Sequence, residues 1–296
     1  MIRLAWCLVG LLVIVGTAGA LAEDIAFDRP ESWAMSYFSA VMQPTAVGTV
    51  GDLPAGAVEI SLEGGWVPAL SEADRRVGFN GTKVEDLNRT PVFGRVNIAF
   101  RLPGHWTAAV GYVPPVELGG ARPNVWSVGI GHPLLEHGRW RVEARVHGLW
   151  GVVEGDFTCS RDAVLAGSDP IRNPLGCEEP SSDRVRLAQA GAELNARTQV
   201  GARDESVELF ASLGLNRLSP HFDVRARYAG IDDRTRLETS GVTGYVAGGL
   251  NVPFRHTWFW SAEAYFSPLR VRRPPASGAH VDGLFNFRAA VGFRIR

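Results

Sequence analysis

From residue 57 onward, apolar and polar side chains alternate one for one in segment after segment. The clearest case is 140–150, where Trp140, Val142, Ala144, Val146 and Trp150 hold one set of positions and Arg141, Glu143, Arg145 and His147 the other. A repeat of two belongs to a strand, so this segment has one apolar and one ionic face. The same pattern predicts strands at 57–66, 92–101, 106–112, 124–132, 185–197, 207–216, 242–252, 258–266 and 285–296. In 57–66, Val58, Ile60, Leu62 and Trp66 oppose Glu59, Ser61 and Glu63; in 285–296, Phe285, Phe287, Val291, Phe293 and Ile295 oppose Asn286, Arg288 and Arg294. The Ala, Leu and Arg content of 185–197, with Ser182 ahead of it, also permits a helix.

The connections sort by length. Those at 102–105, 134–139, 198–205 and 253–256 are short, whereas 67–90, 113–123, 153–184, 218–240 and 268–283 are long, and the two kinds alternate along the chain. Ahead of the strands, Met1 to Arg3 are followed by an apolar run to Gly16 and a small-residue cleavage site at Ala20-Leu21-Ala22, the pattern of a secretory signal peptide. That run falls short of the ~20 apolar residues a helical span needs. Ten alternating strands behind an export signal, with Trp at their ends, predict an all-β fold: a transmembrane antiparallel β-barrel whose apolar face meets lipid. Short turns then lie on the periplasmic side and long loops outside. The stretch 221–228 is also strand-like; placed in an outer hairpin it leaves ten strands, and counted in the wall it makes twelve. The expected organisation is a signal peptide at 1–22, an N-terminal segment at 23–56 and a barrel at 57–296.

Composition narrows the chemistry. The net charge of −1 gives no reason to expect nucleic acid as a partner. Lys83 is the sole lysine, and Cys7 leaves with the signal peptide. Cys159 and Cys177 remain as an even pair in an oxidising compartment, which predicts a disulfide in a long outer loop. No metal triad, phosphate loop or nucleophile elbow is present, and no cofactor is expected.

The signal peptide, the aromatic-edged alternating strands and the terminal Phe285-Asn286-Phe287-Arg288-Ala289-Ala290-Val291-Gly292-Phe293-Arg294 resemble a Gram-negative outer-membrane β-barrel protein. The resemblance implies an outer-membrane location, contact with membrane lipid and lipopolysaccharide, and recognition of the terminal strand by the barrel-assembly machinery. That strand usually ends on an aromatic residue, whereas here three residues follow Phe293. A looser likeness, through Gly111-Tyr112-Val113-Pro114-Pro115 and the segment before the first strand, is to barrels that take up fatty acids and aromatic hydrocarbons.

Within 23–56, Ser32 is a candidate cap for a short helix carrying Trp33, Tyr37, Phe38 and Val41, ended by Gln43-Pro44. This segment reads either as a leader packed against the periplasmic end or as a plug in the lumen. The lumen-facing charges predicted are Glu59, Glu63, Glu143, Glu193, Glu208 and Glu263 against Arg95, Arg101, Arg141, Arg145, Arg197, Arg288 and Arg294, with His147. Their signs nearly cancel, as expected of groups that pair across a low-dielectric interior. Barrels near eight strands are filled by side chains, and aqueous channels are typical at about 16. The expected function is to pass, or help to pass, a small solute, hydrophobic ones included; the alternative is a non-conducting structural or surface-interaction barrel. No enzyme is expected, although His221-Phe222-Asp223 and Asp232-Asp233 superficially suggest an outer-loop hydrolase.

Overall fold

In a computed structural model, residues 22–47, 55–201, 207–254, 257–276 and 278–295 are described. All of the proposed signal peptide but Ala22, residues 48–54 of the N-terminal segment, half of the turn at 198–205 and half of that at 253–256 lie outside the described residues. Ten strands form one antiparallel ring: β1 (Val58–Trp66), β2 (Val92–Arg101), β3 (Thr107–Val113), β4 (Ala121–His137), β5 (Trp140–Gly155), β6 (Asp183–Val200), β7 (Val207–Leu218), β8 (Gly241–Phe254), β9 (Trp258–Ser267) and β10 (Leu284–Ile295). Each strand pairs with its sequence neighbours, and β10 closes on β1 with Glu59 opposite Arg294 and Gly65 opposite Arg288.

Between the two rims the outward row is apolar on every strand. Leu62, Val96, Val128, Val146, Leu213, Val246, Phe287 and Val291 are all exposed on the outer surface. An exposed apolar area of this extent would be untenable in water and is what a hydrocarbon surround requires. Trp106, Trp140 and Trp258 ring the end with the short turns, and Trp66, Trp126 and Trp150 lie toward the end with the long loops. Such girdles sit at the two interfaces of a bilayer. The fold is a transmembrane antiparallel β-barrel.

Strands β4, β5 and β6 run beyond their predicted ends, to 17, 16 and 18 residues, and form a tall wall on one side. The helical alternative for 185–197 is corrected: β6 pairs with β5 from Asp183 to Thr198 and with β7 from Gln189 to Val200. Glu193, Asn195 and Arg197 thereby share one inward side, which a helix would not give them. The twelve-strand count is corrected too. His221–Asp223 pairs with Arg184 to Arg186 above the ring, while Ala226–Tyr228 joins Ile231–Asp233 and Cys177–Glu179 in a separate small sheet. Cys159 and Cys177 are joined as a disulfide in the 156–182 loop.

Of the two readings of the N-terminal segment, residues 30–47 follow the plug: they lie inside the barrel rather than against its periplasmic end. Helix α1 (Pro30–Val41) begins at Pro30, whose fixed φ suits a first helical turn. Ser32 is therefore not the cap; its hydroxyl donates to Ala26 O at 2.7 Å instead. Nearly every residue of α1 is buried in the loop-end half of the lumen, and Gln43, Thr45, Ala46 and Val47 continue it, buried, toward the short-turn end. Upstream, Glu23–Asp24 pairs in parallel with Leu237 and Glu238 of the outer hairpin. Residues 23–47 thus run from the loop end down into the barrel.

Candidate functional site

Two arrangements matter: the seal that α1 and its extension make with the lumen wall, and an opening in that wall beside α1.

The seal is built where a helix leaves carbonyls without intrahelical partners, at its C-terminus. Arg288 Nη2 donates to Val41 O at 3.0 Å, and its Nη1 donates to Gln43 O. Arg95 Nη2 donates to Met42 O. Two cations thus meet the negative end of the α1 dipole. They are balanced by Glu63, 3.3 Å from Arg95 and 3.8 Å from Arg288, and by Glu263, 3.9 Å from Arg288. Thr45 Oγ1 donates to Glu263 Oε1 at 2.7 Å. Below α1, Gln43 Oε1 accepts from Asn216 Nδ2 at 2.9 Å and from Gln189 Nε2, and Gln43 Nε2 lies 3.0 Å from His147 Nε2.

The remaining inward charges pair nearer the short-turn end or along the wall. Arg294 Nε meets Glu59 at 3.2 Å, and Arg197 meets Glu208 at 3.0 Å. Arg145 lies 4.0 Å from Glu193, which also accepts from Ser212 and Tyr245. Glu143 is buried inward on β5. Arg101 turns to Thr107 and His105, and Arg141 to Glu136 at the rim. The predicted charges thus fall into several clusters, and among the described residues Glu63, Arg95, His147, Glu263 and Arg288 touch or balance the plug. Reasoning from charges missed the neutral members Gln43, Thr45, Gln189 and Asn216. Gln43 before Pro44 was the one available signal, and it reads locally as a helix stop.

The opening lies between β2 and β3. Their pairing runs only from Val96 opposite Tyr112 to Arg101 opposite Thr107, so Val92 to Arg95 pair with β1 alone. Pro114 and Pro115 explain the break, because proline has no N–H to offer a ladder. An apolar cavity of about 250 Å³ occupies the gap, lined by Tyr37, Phe38, Val41, Met42, Phe93 and Val113 from inside and by Leu62, Val92, Val96 and Val116 from outside. Its frame is well anchored. Arg89 bridges Asp86 at 3.2 Å and Asp156 at 2.8 Å, and Asn88 exchanges two 2.8 Å hydrogen bonds with Leu70. Gly119, at φ +61°, lets the backbone approach Arg89 O so closely that a Cβ would lie 1.6 Å from it. At Gly65 a Cβ would overlap the Phe93 ring, so glycine there lets that ring lie against β1.

In the 67–90 loop beside the opening, the Glu85 carboxyl is displaced from its ordinary range. Burial pushes the Glu85 carboxyl up to about 7, against the pull of the Lys83 ammonium 2.6 Å away. A carboxyl whose folded value is raised favours folding while it is neutral, and that preference is lost as pH rises from the unfolded value of 4.5 to about 7. Hydrogen exchange in 76–87, corrected for intrinsic rates, is expected to show protection falling across this window. In Glu85→Gln the dependence should flatten; an unchanged slope would assign it to another group.

The hydrolase-like residues are held elsewhere. Asp223 is taken by Arg186 at 3.0 Å and Arg236 at 3.5 Å, and His221 faces Glu238 at 3.3 Å. Asp233 accepts from the Tyr228 hydroxyl at 2.9 Å.

No family model matches the sequence, and no curated protein matches it. Among solved structures, the chain is similar to the translocator domain of the autotransporter NalP from Neisseria meningitidis, at 14% identity and TM-score 0.45, over 91% of this chain and 99% of that one. It is also similar to the outer membrane protease OmpT of Escherichia coli, at 9% identity and TM-score 0.43, over 81% and 93%. A third likeness is to the Pseudomonas putida toluene transporter TodX, at 11% identity and TM-score 0.35, over 86% and 93%. These likenesses concern the barrel alone, and no activity is carried over from them.

Proposed function

We propose that this outer-membrane β-barrel takes small apolar solutes from its loop end into the bilayer through the opening between β2 and β3. The observation that carries this reading is that one apolar cavity is lined by residues from both faces of the barrel wall. The plug favours a lateral exit over a vertical one, since a solute continuing downward would have to displace Gln43 and the buried ions around it. Transfer from an apolar cavity to lipid exposes no apolar surface to water, so the path follows the hydrophobic gradient. At about 250 Å³ the cavity is near the small end of ligand pockets, which suits a molecule of one or two rings or a short acyl chain.

The test is to block the outer mouth without touching the fold. Gly94 faces outward there, and a Cβ on it would meet only Glu63 O at 3.9 Å, an ordinary contact. In cells carrying the protein in an intact outer membrane, the apolar dye N-phenyl-1-naphthylamine is expected to enter faster than in cells without it. Gly94→Trp should return the rate to background at equal amounts of folded barrel. Equal rates for the variant and the unmodified protein would remove the opening as the route.

A further inference from the structure

The loop end holds a second cavity, of about 220 Å³, between the 67–90 and 156–182 loops; it shares no lining residue with the opening. Its two sides are held by different means. On one, Ser71 caps the short helix Glu72–Arg75, and Glu85 N donates to Arg75 O at 2.8 Å, which fixes Arg75 beside the cavity. On the other, the Cys159–Cys177 bridge closes the loop and Asn173 knits it internally. Its Nδ2 donates to Gly167 O at 2.8 Å, and its Oδ1 accepts from Cys177 N at 2.7 Å. Asp169 Oδ1 accepts from the backbone N–H groups of Ile171 and Arg172, which sets Arg172 in the lining.

Three cations and two carboxylates line this space. The carboxylates are both engaged, Glu85 by Lys83 at 2.6 Å and Asp86 by Arg89 at 3.2 Å. Arg75 and Arg172 make no ion pair or side-chain hydrogen bond among the described residues, and Arg75 Nε is shut off from solvent without an acceptor. A buried N–H nearly always has a partner, so one of this kind beside a cavity calls for an acceptor from within it. Ser160 Oγ accepts from Ala163 N at 3.1 Å and keeps its own proton to donate. Phe157 and Leu175 give the same space an apolar side.

We propose that this cavity binds a small aromatic carboxylate, its head held by Arg75 and Arg172 and its ring laid against Phe157 and Leu175. A guanidinium fork meets a carboxylate through two parallel hydrogen bonds, and two such forks stand here unused. Glu85 and Asp86 in the same lining favour a single negative charge over a doubly charged phosphate. The volume suits a body of one ring. The site is separate from the opening and does not rest on transport through it. Because its two cations come from different loops, a bound acid would tie 67–90 to 156–182.

The test is calorimetric titration of the full-length barrel in detergent with 3-phenylpropionate. Saturable binding at one site is expected, and the neutral 3-phenylpropanamide, which has the same shape, should bind at least about tenfold more weakly. Arg75→Gln with Arg172→Gln should weaken phenylpropionate binding by about tenfold or more, the worth of a hydrogen bond to a charged group. Arg184→Gln, at an arginine of the tall wall bonded to Glu154, should leave it unchanged. Hydrogen exchange should slow in both loops when the acid is bound. Equal affinity for the amide, equal binding by the double variant, or displacement by an equal concentration of inorganic phosphate would each overturn the proposal. Heat-modified electrophoretic mobility confirms that each variant is folded, and Arg172→Gln alone, at an exposed residue, gives the same reading with the least effect on the loops.

Discussion

Replacing Arg288 with methionine is expected to destabilise the barrel by about 3–5 kcal/mol, the usual cost of removing one partner from a buried ionic cluster. The side chain is fully buried, and it lies between Glu63 and Glu263 while donating to carbonyls at the end of α1. Its loss leaves Glu263 without its cation and Val41 O and Gln43 O without their donor. Methionine fills a similar volume, so the change removes charge more than packing. A second consequence separates a clamp from a mere core residue. With one of its two guanidinium contacts gone, the 42–47 segment should leave its seat part of the time, and planar-bilayer recordings should then show intermittent ion conductance. The unmodified protein, with its lumen filled, should show none. A steady large conductance from the unmodified protein would overturn the sealed lumen; destabilisation of Arg288→Met without conductance would leave the arginine structural only.

The second large effect is on the outer surface. Val146 is 55% exposed in the middle of β5, opposite Ile130 on β4 and Ala192 on β6. It lies between the two tryptophan girdles, near the bilayer midplane, where an arginine costs about 2–4 kcal/mol. Val146→Arg should therefore lower the urea midpoint in lipid vesicles markedly. The neighbouring residue gives the contrast. His147 points inward and lies 2.8 Å from Asn216 Oδ1. His147→Gln keeps a polar group able to bond there, so its cost should be far smaller. Equal costs at both sites would mean that the two faces of β5 are assigned wrongly.

The pairing of these two residues shows why so much of the wall was legible. A strand between lipid and a polar interior meets a different solvent on each side, so residues one apart are selected for opposite polarity. That information is local, and it was enough to predict all ten strands, the outward row and the separation of short turns from long loops. The Cys159–Cys177 bridge was legible for a different reason: once Cys7 is set aside, only one intramolecular pairing remains.

What the local pattern could not decide was everything that depends on partners distant in sequence. Trp33, Tyr37 and Val41 read as one face of a short helix whether that helix packs under the barrel or within it. The difference lies in Arg95 and Arg288, which meet its last carbonyls from more than fifty residues away. Pro114-Pro115 announces a break, yet whether a break becomes an opening depends on how far β3 reaches along β2, and the register alone sets that. Sequence by itself determined the barrel and the facing of its strands, because polarity alternation is imposed residue by residue. The seal and the lateral opening were decided only by tertiary structure, because each joins side chains whose proximity comes from strand register and from the path of α1 through the lumen.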